Sequence, residues 1–405
     1  MEYIKRHIVS CMACVMLLVF SNITLLASSK TYMPPTYDSV HISLLTCSSH
    51  PEVYSLYGHT AIRYQNMATG QDYVINYGVF DFSDKWFIPK FTFGITDYSM
   101  GIVPYYYFEN EYRSYGSSIT QQEINLTPEE KKVLSDALAD NYRLENRIYR
   151  YNCFYKNCST MARDIIVGSI DGKVIYPESN EKLSFRDLTH QCNDDYPWAR
   201  LGNDLILGMG ADFNTTIEER QFLPNYLMND FAKAVIEKNG EKRPLVKSTV
   251  VILQSGTQEI AENTLLTPLF CAVILILACT WLLLFENYKG VVTLWFDAVM
   301  MIITGIAGLI IVTMFLSQHP TTSTNLMVLM LNPVPLFFIR KIYTSAKAKR
   351  KCSWWKIWMV MSILMLMSSV ILQDIDPSMF VTAGVILMRA SQHLRYERKM
   401  KLRNE

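Results

Sequence analysis

Tyr57-Gly58-His59-Thr60-Ala61-Ile62-Arg63 and Asn157-Cys158-Ser159-Thr160-Met161-Ala162-Arg163-Asp164 are the two stretches that organise this chain. The first opens on a histidine and then alternates apolar with polar residues, the period of a half-buried strand. The second opens a run that reads like the first turn of a helix. Cys158 therefore stands where the positive end of a helix dipole favours the thiolate, which makes it nucleophilic near neutral pH. An imidazole on a neighbouring strand would take up its proton. The pair predicts a cysteine–histidine enzyme with Cys158 as nucleophile and His59 as general base and acid. Gly58 would permit a close approach just before the histidine. Asn76, in Tyr73-Val74-Ile75-Asn76-Tyr77, is the first candidate to orient the ring, and Asp81 the second.

Outward from these stretches, strands are expected over 38–48, 60–65, 73–80 and 117–126, the second and third forming a hairpin through Gly70. Thr127-Pro128-Glu129-Glu130 combines an N-cap, a proline at the first helical position and a glutamate at the third. The helix it starts is expected to reach about Glu145 and to bury Val133, Leu134, Ala137 and Leu138. A second helix should begin at Cys158 and stop near Gly168. Residues 169–260 mix helical pieces with loops in no evident order, and 176–225 offers no motif.

The 405 residues are 50% hydrophobic and carry a formal net charge of +1. That total hides a division. Residues 30–263 hold 22 Lys+Arg against 30 Asp+Glu, a balance of −8, and residues 264–405 hold 14 against 6, a balance of +8. The basic residues flank hydrophobic spans instead of covering a soluble domain, so nucleic-acid binding is excluded as a reading. Lys5, Arg6 and His7, the apolar run Ile8 to Leu26, and the small residues Ala27-Ser28-Ser29 form a signal-peptide pattern over 1–29. An exported α+β domain over 30–263, a five-helix membrane domain over 264–390 and a basic cytoplasmic tail over 391–405 would follow.

Apolar runs cover 265–285, 292–316, 326–343, 355–372 and 377–390. The first, second and fourth are long enough for a hydrocarbon core of ~30 Å. Pro333 and Pro335 interrupt the third, and the fifth is short. The 340–356 loop and the tail are rich in Lys and Arg, whereas 317–325 and 373–377 have none. The positive-inside rule then sets the basic segments in the cytoplasm and residues 30–263 outside it. Asp297, inside the second run, should face the bundle interior as a structural or groove-lining residue.

Nine cysteines and seven histidines are present. In an oxidising compartment Cys47, Cys153, Cys158 and Cys192 invite disulfides, with Cys153 the favoured partner for a bridge. His50, beside Pro51, reads as a loop residue. No paired Cys or His motif has metal-ligand spacing, so neither a metal nor a cofactor is expected.

A histidine on an early strand followed much later by Asn-Cys at a helix start resembles the circularly permuted papain-like fold of the NlpC/P60 and lecithin:retinol acyltransferase superfamily. A narrower set of motifs is similar to Lnb-type lipoprotein N-acyltransferases. These are Leu44-Leu45-Thr46-Cys47, Tyr57 to Arg63, Asn76-Tyr77-Gly78-Val79-Phe80-Asp81-Phe82 and Asn157-Cys158-Ser159-Thr160 with Arg163-Asp164, followed by five spans. In the membrane half the likeness rests on Ser317-Gln318-His319-Pro320, Asn325 and Asn332-Pro333. The resemblance implies a membrane phospholipid as acyl donor, a thioester on Cys158 and a diacylglyceryl-cysteine lipoprotein as acceptor, with the backbone N–H of Cys158 as oxyanion donor. His319 and Asn325 would line a lipid groove or orient a headgroup. Rival readings are a membrane-anchored NlpC/P60-like amidase or peptidase acting on peptidoglycan, and a non-enzymatic envelope assembly module.

Overall fold

The computed structural model describes residues 37–256, apart from 51, 53, 54 and 82, and residues 265–404, apart from 349. The signal segment and the expected junction at 263/264 lie outside the described residues.

The N-terminal part is α+β. Its strands are β1 (Val40–Cys47), β2 (His59–Asn66), β3 (Gln71–Val79), β4 (Asp97–Pro104), β5 (Ile119–Ile124), β6 (Ile148–Arg150), β7 (Lys173–Ile175), β8 (Val235–Lys238), β9 (Glu241–Pro244) and β10 (Val246–Leu253). Seven form an antiparallel sheet in the order β10-β5-β1-β2-β3-β4-β6, and β7-β8-β9 form a small second sheet. Its helices are α1 (Phe87–Thr92), α2 (Tyr105–Ser114), α3 (Pro128–Asn141), α4 (Cys158–Gly168), α5 (Phe185–Asn193), α6 (Pro197–Ile206), α7 (Ile217–Arg220) and α8 (Pro224–Lys233).

One face of the sheet buries Ile42, Leu44, Ile62 and Ile75 against Leu134 and Leu138 of α3, Ala162 and Ile166 of α4, and Leu227 and Phe231 of α8. The other buries Leu45, Cys47, Ala61 and Val74 beneath Phe108 of α2. Being covered on both faces, Val40 to Cys47 is buried almost without a break, polar Ser43 and Thr46 included.

The expected β2–β3 hairpin turns through Gly70, and α4 spans the predicted residues. Helix α3 differs in two ways. It ends at Asn141, four residues early, and Val133 is 52% exposed. The inward stripe is Glu130, Leu134 and Leu138 at four-residue spacing. The Glu130 carboxylate accepts from the N–H of Asp171 and pairs with Arg243, so a held charge occupies the first inward position and Val133 is turned outward.

The C-terminal part is helical: α9 (Pro268–Lys289), α10 (Leu294–Met314), α11 (Val334–Lys347), α12 (Ser353–Ser369) and α13 (Pro377–Asn404). Among the described residues three segments are long and apolar enough to cross a membrane: Pro268–Lys289, Leu294–Met314 and Leu326–Lys347. The first, of 22 residues, is about 33 Å long. Here the third and fourth runs exchange the expected roles. Helix α12 has only 17 residues. The third segment gains length from a 3-10 turn over Leu326–Leu329 that precedes α11. Its break at Asn332-Pro333 is enclosed by protein: Trp358 Nε1 donates to the Met330 carbonyl (3.0 Å) and Asn332 caps the Val334 N–H (2.9 Å). Helix α13 runs on through the residues expected as a tail.

Asp297 faces inward, as expected, and the reason is electrostatic. Arg389 of α13 donates to Asp297 (2.7 and 2.8 Å) and to Glu286 of α9 (2.8 Å), while His393 Nε2 meets Asp297 at 2.7 Å. All four side chains are buried. Asp297 is thereby a structural residue joining the first, second and last helices of the bundle.

One end of the helical part carries the α+β domain. From the loop after α10, Thr321 and Thr324 carbonyls accept from the N–H groups of Gly208 (2.8 Å) and Met209 (2.9 Å), and Gln318 N–H donates to the Phe93 carbonyl (2.9 Å). From the loop after α12, Gln373 Nε2 donates to the Leu207 carbonyl (3.3 Å). Behind this seat Arg186 is buried, bonded to Asp204 (2.7 Å), Asp212 (2.8 Å) and the Leu207 carbonyl (3.0 Å). A Cβ on Gly208 would stand 2.7 Å from the Thr324 oxygen, so only glycine lets the two backbones meet. Gly208→Val is expected to cost about 1–3 kcal/mol. Faster hydrogen exchange at the Met209 amide, measured by mass spectrometry, checks it; unchanged exchange would mean that the seat tolerates the side chain.

Candidate active site

His59 starts β2, and Gly58 before it has φ +75°, with Cys47 O only 2.8 Å from where a Cβ would lie. The chain can therefore enter the strand at this point only through glycine. Register places Cys47 opposite His59, and Asn76 opposite Ala61. Asn76 is thus a diagonal neighbour of His59 on the same face. Its Oδ1 lies 3.1 Å from His59 Nε2. With Nε2 engaged, Nδ1 is the nitrogen left for the thiol. Beyond Asn76 the pairing of β3 with β4 shifts register, which bends the strand beside the site.

Cys158 is the first residue of α4. Asn157 caps it by accepting from the Ser159 and Thr160 N–H groups (both 3.0 Å) and donates to the Cys153 and Phe222 carbonyls (both 2.9 Å). A further bond fixes helix to strand. Thr60 and Ser159, each next in sequence to one member of the pair, join hydroxyls at 2.8 Å in a fully buried contact. The thiol and the imidazole, both half-buried, stand near enough for the charge of each to act on the other.

The electrostatics follow from that proximity. Burial opposes ionisation of Cys158, but the charge and hydrogen bond of His59, the Thr60 N–H and the Ser159 hydroxyl outweigh it, and the thiol lies below its ordinary value. Burial likewise disfavours imidazolium, yet the Cys158 charge and hydrogen bond, Asn76 and the more distant Glu111 raise His59 above its ordinary value. Both shifts favour a thiolate–imidazolium pair. Asn76→Ala removes one of the contacts that raise His59. The basic limb of the pH–rate profile should move to lower pH, with a roughly 10- to 100-fold slower reaction. An unmoved limb would assign Asn76 to packing alone.

The described cysteines are all free. Cys153, favoured for a bridge, is instead a thiol pushed up by burial to about 12. Cys47 hydrogen-bonds the Tyr112 hydroxyl, and the Tyr112 ring stacks on His59 with centroids 6.4 Å apart. Tyr112 and Cys47 therefore wall the imidazole. Sequence reading gave no sign of Tyr112, one of several tyrosines in 105–115. Asp81 is exposed and accepts from the Ser83 N–H and hydroxyl, while the ring's bond goes to Asn76. His50 lies in the β1–β2 connection, buried and stacked on Tyr115 at 4.2 Å.

The two residues suggested for lipid binding stand at the seat between the two parts. His319 Nε2 donates to the Phe91 carbonyl at 2.6 Å. Asn325 is buried, donates to the Leu205 carbonyl (2.8 Å), accepts from Gln373 Nε2 (3.0 Å) and caps the Met327 N–H (3.0 Å). Its bonds are made within the protein.

Fold and site together define an α+β domain with a paired thiol and imidazole, mounted on a helical membrane domain. Two family models match: the Lnb N-terminal periplasmic domain over residues 34–190 and the Lnb transmembrane domain over residues 260–401. The chain belongs to the Lnb-type lipoprotein N-acyltransferase family. No curated protein and no solved structure matches it. Membership suggests a lipoprotein N-acyltransferase-type enzyme in a membrane, its N-terminal domain periplasmic.

Proposed function

We propose that the protein transfers a fatty acyl chain from a membrane phospholipid to the α-amine of diacylglyceryl-cysteine lipoproteins by way of a thioester on Cys158. The Cys158 thiolate, its proton already on His59, attacks the ester carbonyl. Collapse of the tetrahedral intermediate breaks the carbon–oxygen bond, His59 protonates the departing glycerol oxygen, and lysophospholipid leaves. The lipoprotein amine then attacks the thioester carbonyl and gives a proton to His59. The carbon–sulfur bond breaks, an amide is released, and the thiolate–imidazolium pair returns. The backbone N–H of Cys158, at a helix start, is suited to the oxyanion.

One observation carries this reading. The sheet end that bears His59 also bears the β3–β4 connection, and through α1 in that connection it is seated on the loop after α10. The nucleophile is thereby fixed at the end of the helices, where both substrates are anchored. Both seated loops lack Lys and Arg, and the basic residues of 340–356 lie on the second half of α11, in the short connection after it and at the start of α12. That arrangement supports a periplasmic catalytic domain and a cytoplasmic C-terminus at the inner membrane. His319 and Asn325 serve this reading as positioning residues that hold the domain to the bundle.

The test is to incubate the full chain with phospholipid labelled in its acyl chains and trap a hydroxylamine-labile adduct. Label on the peptide containing Cys158, transferable to a diacyl lipopeptide, is the expected result. Cleavage of muropeptides without such an adduct would replace the proposal with a cell-wall hydrolase.

A further inference from the structure

The β3–β4 connection has a surface that a water-facing domain would bury. Trp86, Ile88, Phe91 and Ile95 are 56, 75, 40 and 39% exposed. They crowd on and around the short helix α1, between Lys85, which lies near the Trp86 ring, and Lys90, which is paired to Asp84 at 2.7 Å. An exposed apolar cluster rimmed by lysines suits a lipid headgroup boundary. Its depth is set by the membrane domain. The Phe91 and Phe93 carbonyls are bonded by His319 and Gln318, which follow α10 by one turn, and Leu316 between them and that helix is itself 75% exposed. The apolar patch is therefore continuous with the outer surface of a membrane-crossing helix.

From this patch a set of rings leads inward. Phe91 neighbours Phe87 (6.1 Å between centroids) and Tyr151 (6.5 Å), Phe87 neighbours Phe80 (5.4 Å), and Phe80 and Tyr151 both stack on Tyr98 (5.0 and 4.1 Å). Tyr151 is within electrostatic reach of Cys158. The rings present an apolar wall between the exposed patch and the thiol.

We propose that Trp86, Ile88 and Phe91 form an interfacial wedge that enters the periplasmic leaflet beside α10, and that the ring cluster behind it guides one acyl chain of a bilayer phospholipid to Cys158. The membrane contact stands on its own. The guiding role rests on the thioester reading above.

The experiment places photoreactive benzoylphenylalanine at Ile88 in the full chain, reconstituted in vesicles of phosphatidylethanolamine and phosphatidylglycerol carrying an alkyne-tagged phospholipid. Met67 is the control, since it is 69% exposed at the end of β2 opposite His59. Lipid adducts should form at 88 and not at 67. Adducts with protein instead, or equal labelling at both positions, would overturn the wedge. In the second arm, Ile88→Glu should lower thioester formation from vesicle phospholipid about tenfold relative to formation from a water-soluble short-chain ester. Equal slowing with both donors would overturn the guiding role. If the unaltered protein forms no thioester with either donor, the acyltransfer reading fails, while the crosslink at 88 still decides the membrane contact.

Discussion

Replacing Cys158 with alanine is expected to leave a folded, inserted protein that no longer N-acylates lipoproteins. The loss should exceed about 10³-fold, because on the proposed mechanism every covalent step passes through the sulfur. The fold should survive, since the helix start is held by Asn157 and by the Thr60–Ser159 bond, neither of which uses the thiol. Mass spectrometry of lipoprotein N-terminal peptides reads the result directly. Triacylated peptides persisting in the variant would exclude Cys158 as nucleophile. The unaltered enzyme should show a bell-shaped pH profile for acylation of the thiol. The reactive form needs an ionised Cys158 and a protonated His59. Activity should rise with pH as the thiol ionises, at a pH below its ordinary value, and fall as His59 loses its proton, at a pH above its ordinary value. Both shifts enlarge the fraction of the enzyme that holds thiolate and imidazolium together.

Removing Arg389 is expected to be the most damaging single change to stability. Arg389→Met leaves Glu286 buried without its cation and Asp297 with His393 alone, and losing one partner of a buried ion pair costs about 3–5 kcal/mol. A large drop in thermal stability in lipid nanodiscs, with loss of protein from the membrane fraction, is the expected measurement. Combining Arg389→Met with Glu286→Gln and Asp297→Asn should recover much of it, since no unpaired charge then remains. Failure of the triple variant to recover would mean that the packing of the guanidinium, and not its charge, is what matters.

The residues that proved legible are those whose meaning is local. His59 announces itself by the glycine before it and the alternation after it, Cys158 by its place at a helix start, and Asn76 as a polar residue on the partner strand of a hairpin. The rest depends on partners far apart in the chain. Arg186 meets Asp204 and Asp212 across 18 and 26 residues with no periodic pattern between them, which is why 176–225 offered no motif. The strands β4, β6 and β10 escaped notice for different reasons. β6 has three residues, β4 contains Gly101 and ends at a proline, and β10 is an edge strand with much of its length exposed. Val133 misled because a buried carboxylate is not visible as a core residue. Asn325 and His319 stood out as polar residues in an expected loop. Sequence alone could not show that their hydrogen bonds are made to the neighbouring domain.

The network around Arg389 also constrains how the protein is made. Glu286 precedes its arginine by 103 residues and Asp297 by 92, so both acids leave the ribosome well before the residue that neutralises them. Helix α13 packs along α9, the last helix closing on the first. A nascent chain lacking its final segment thus carries two acids without the guanidinium that neutralises them, and only the arrival of α13 completes the bundle electrically.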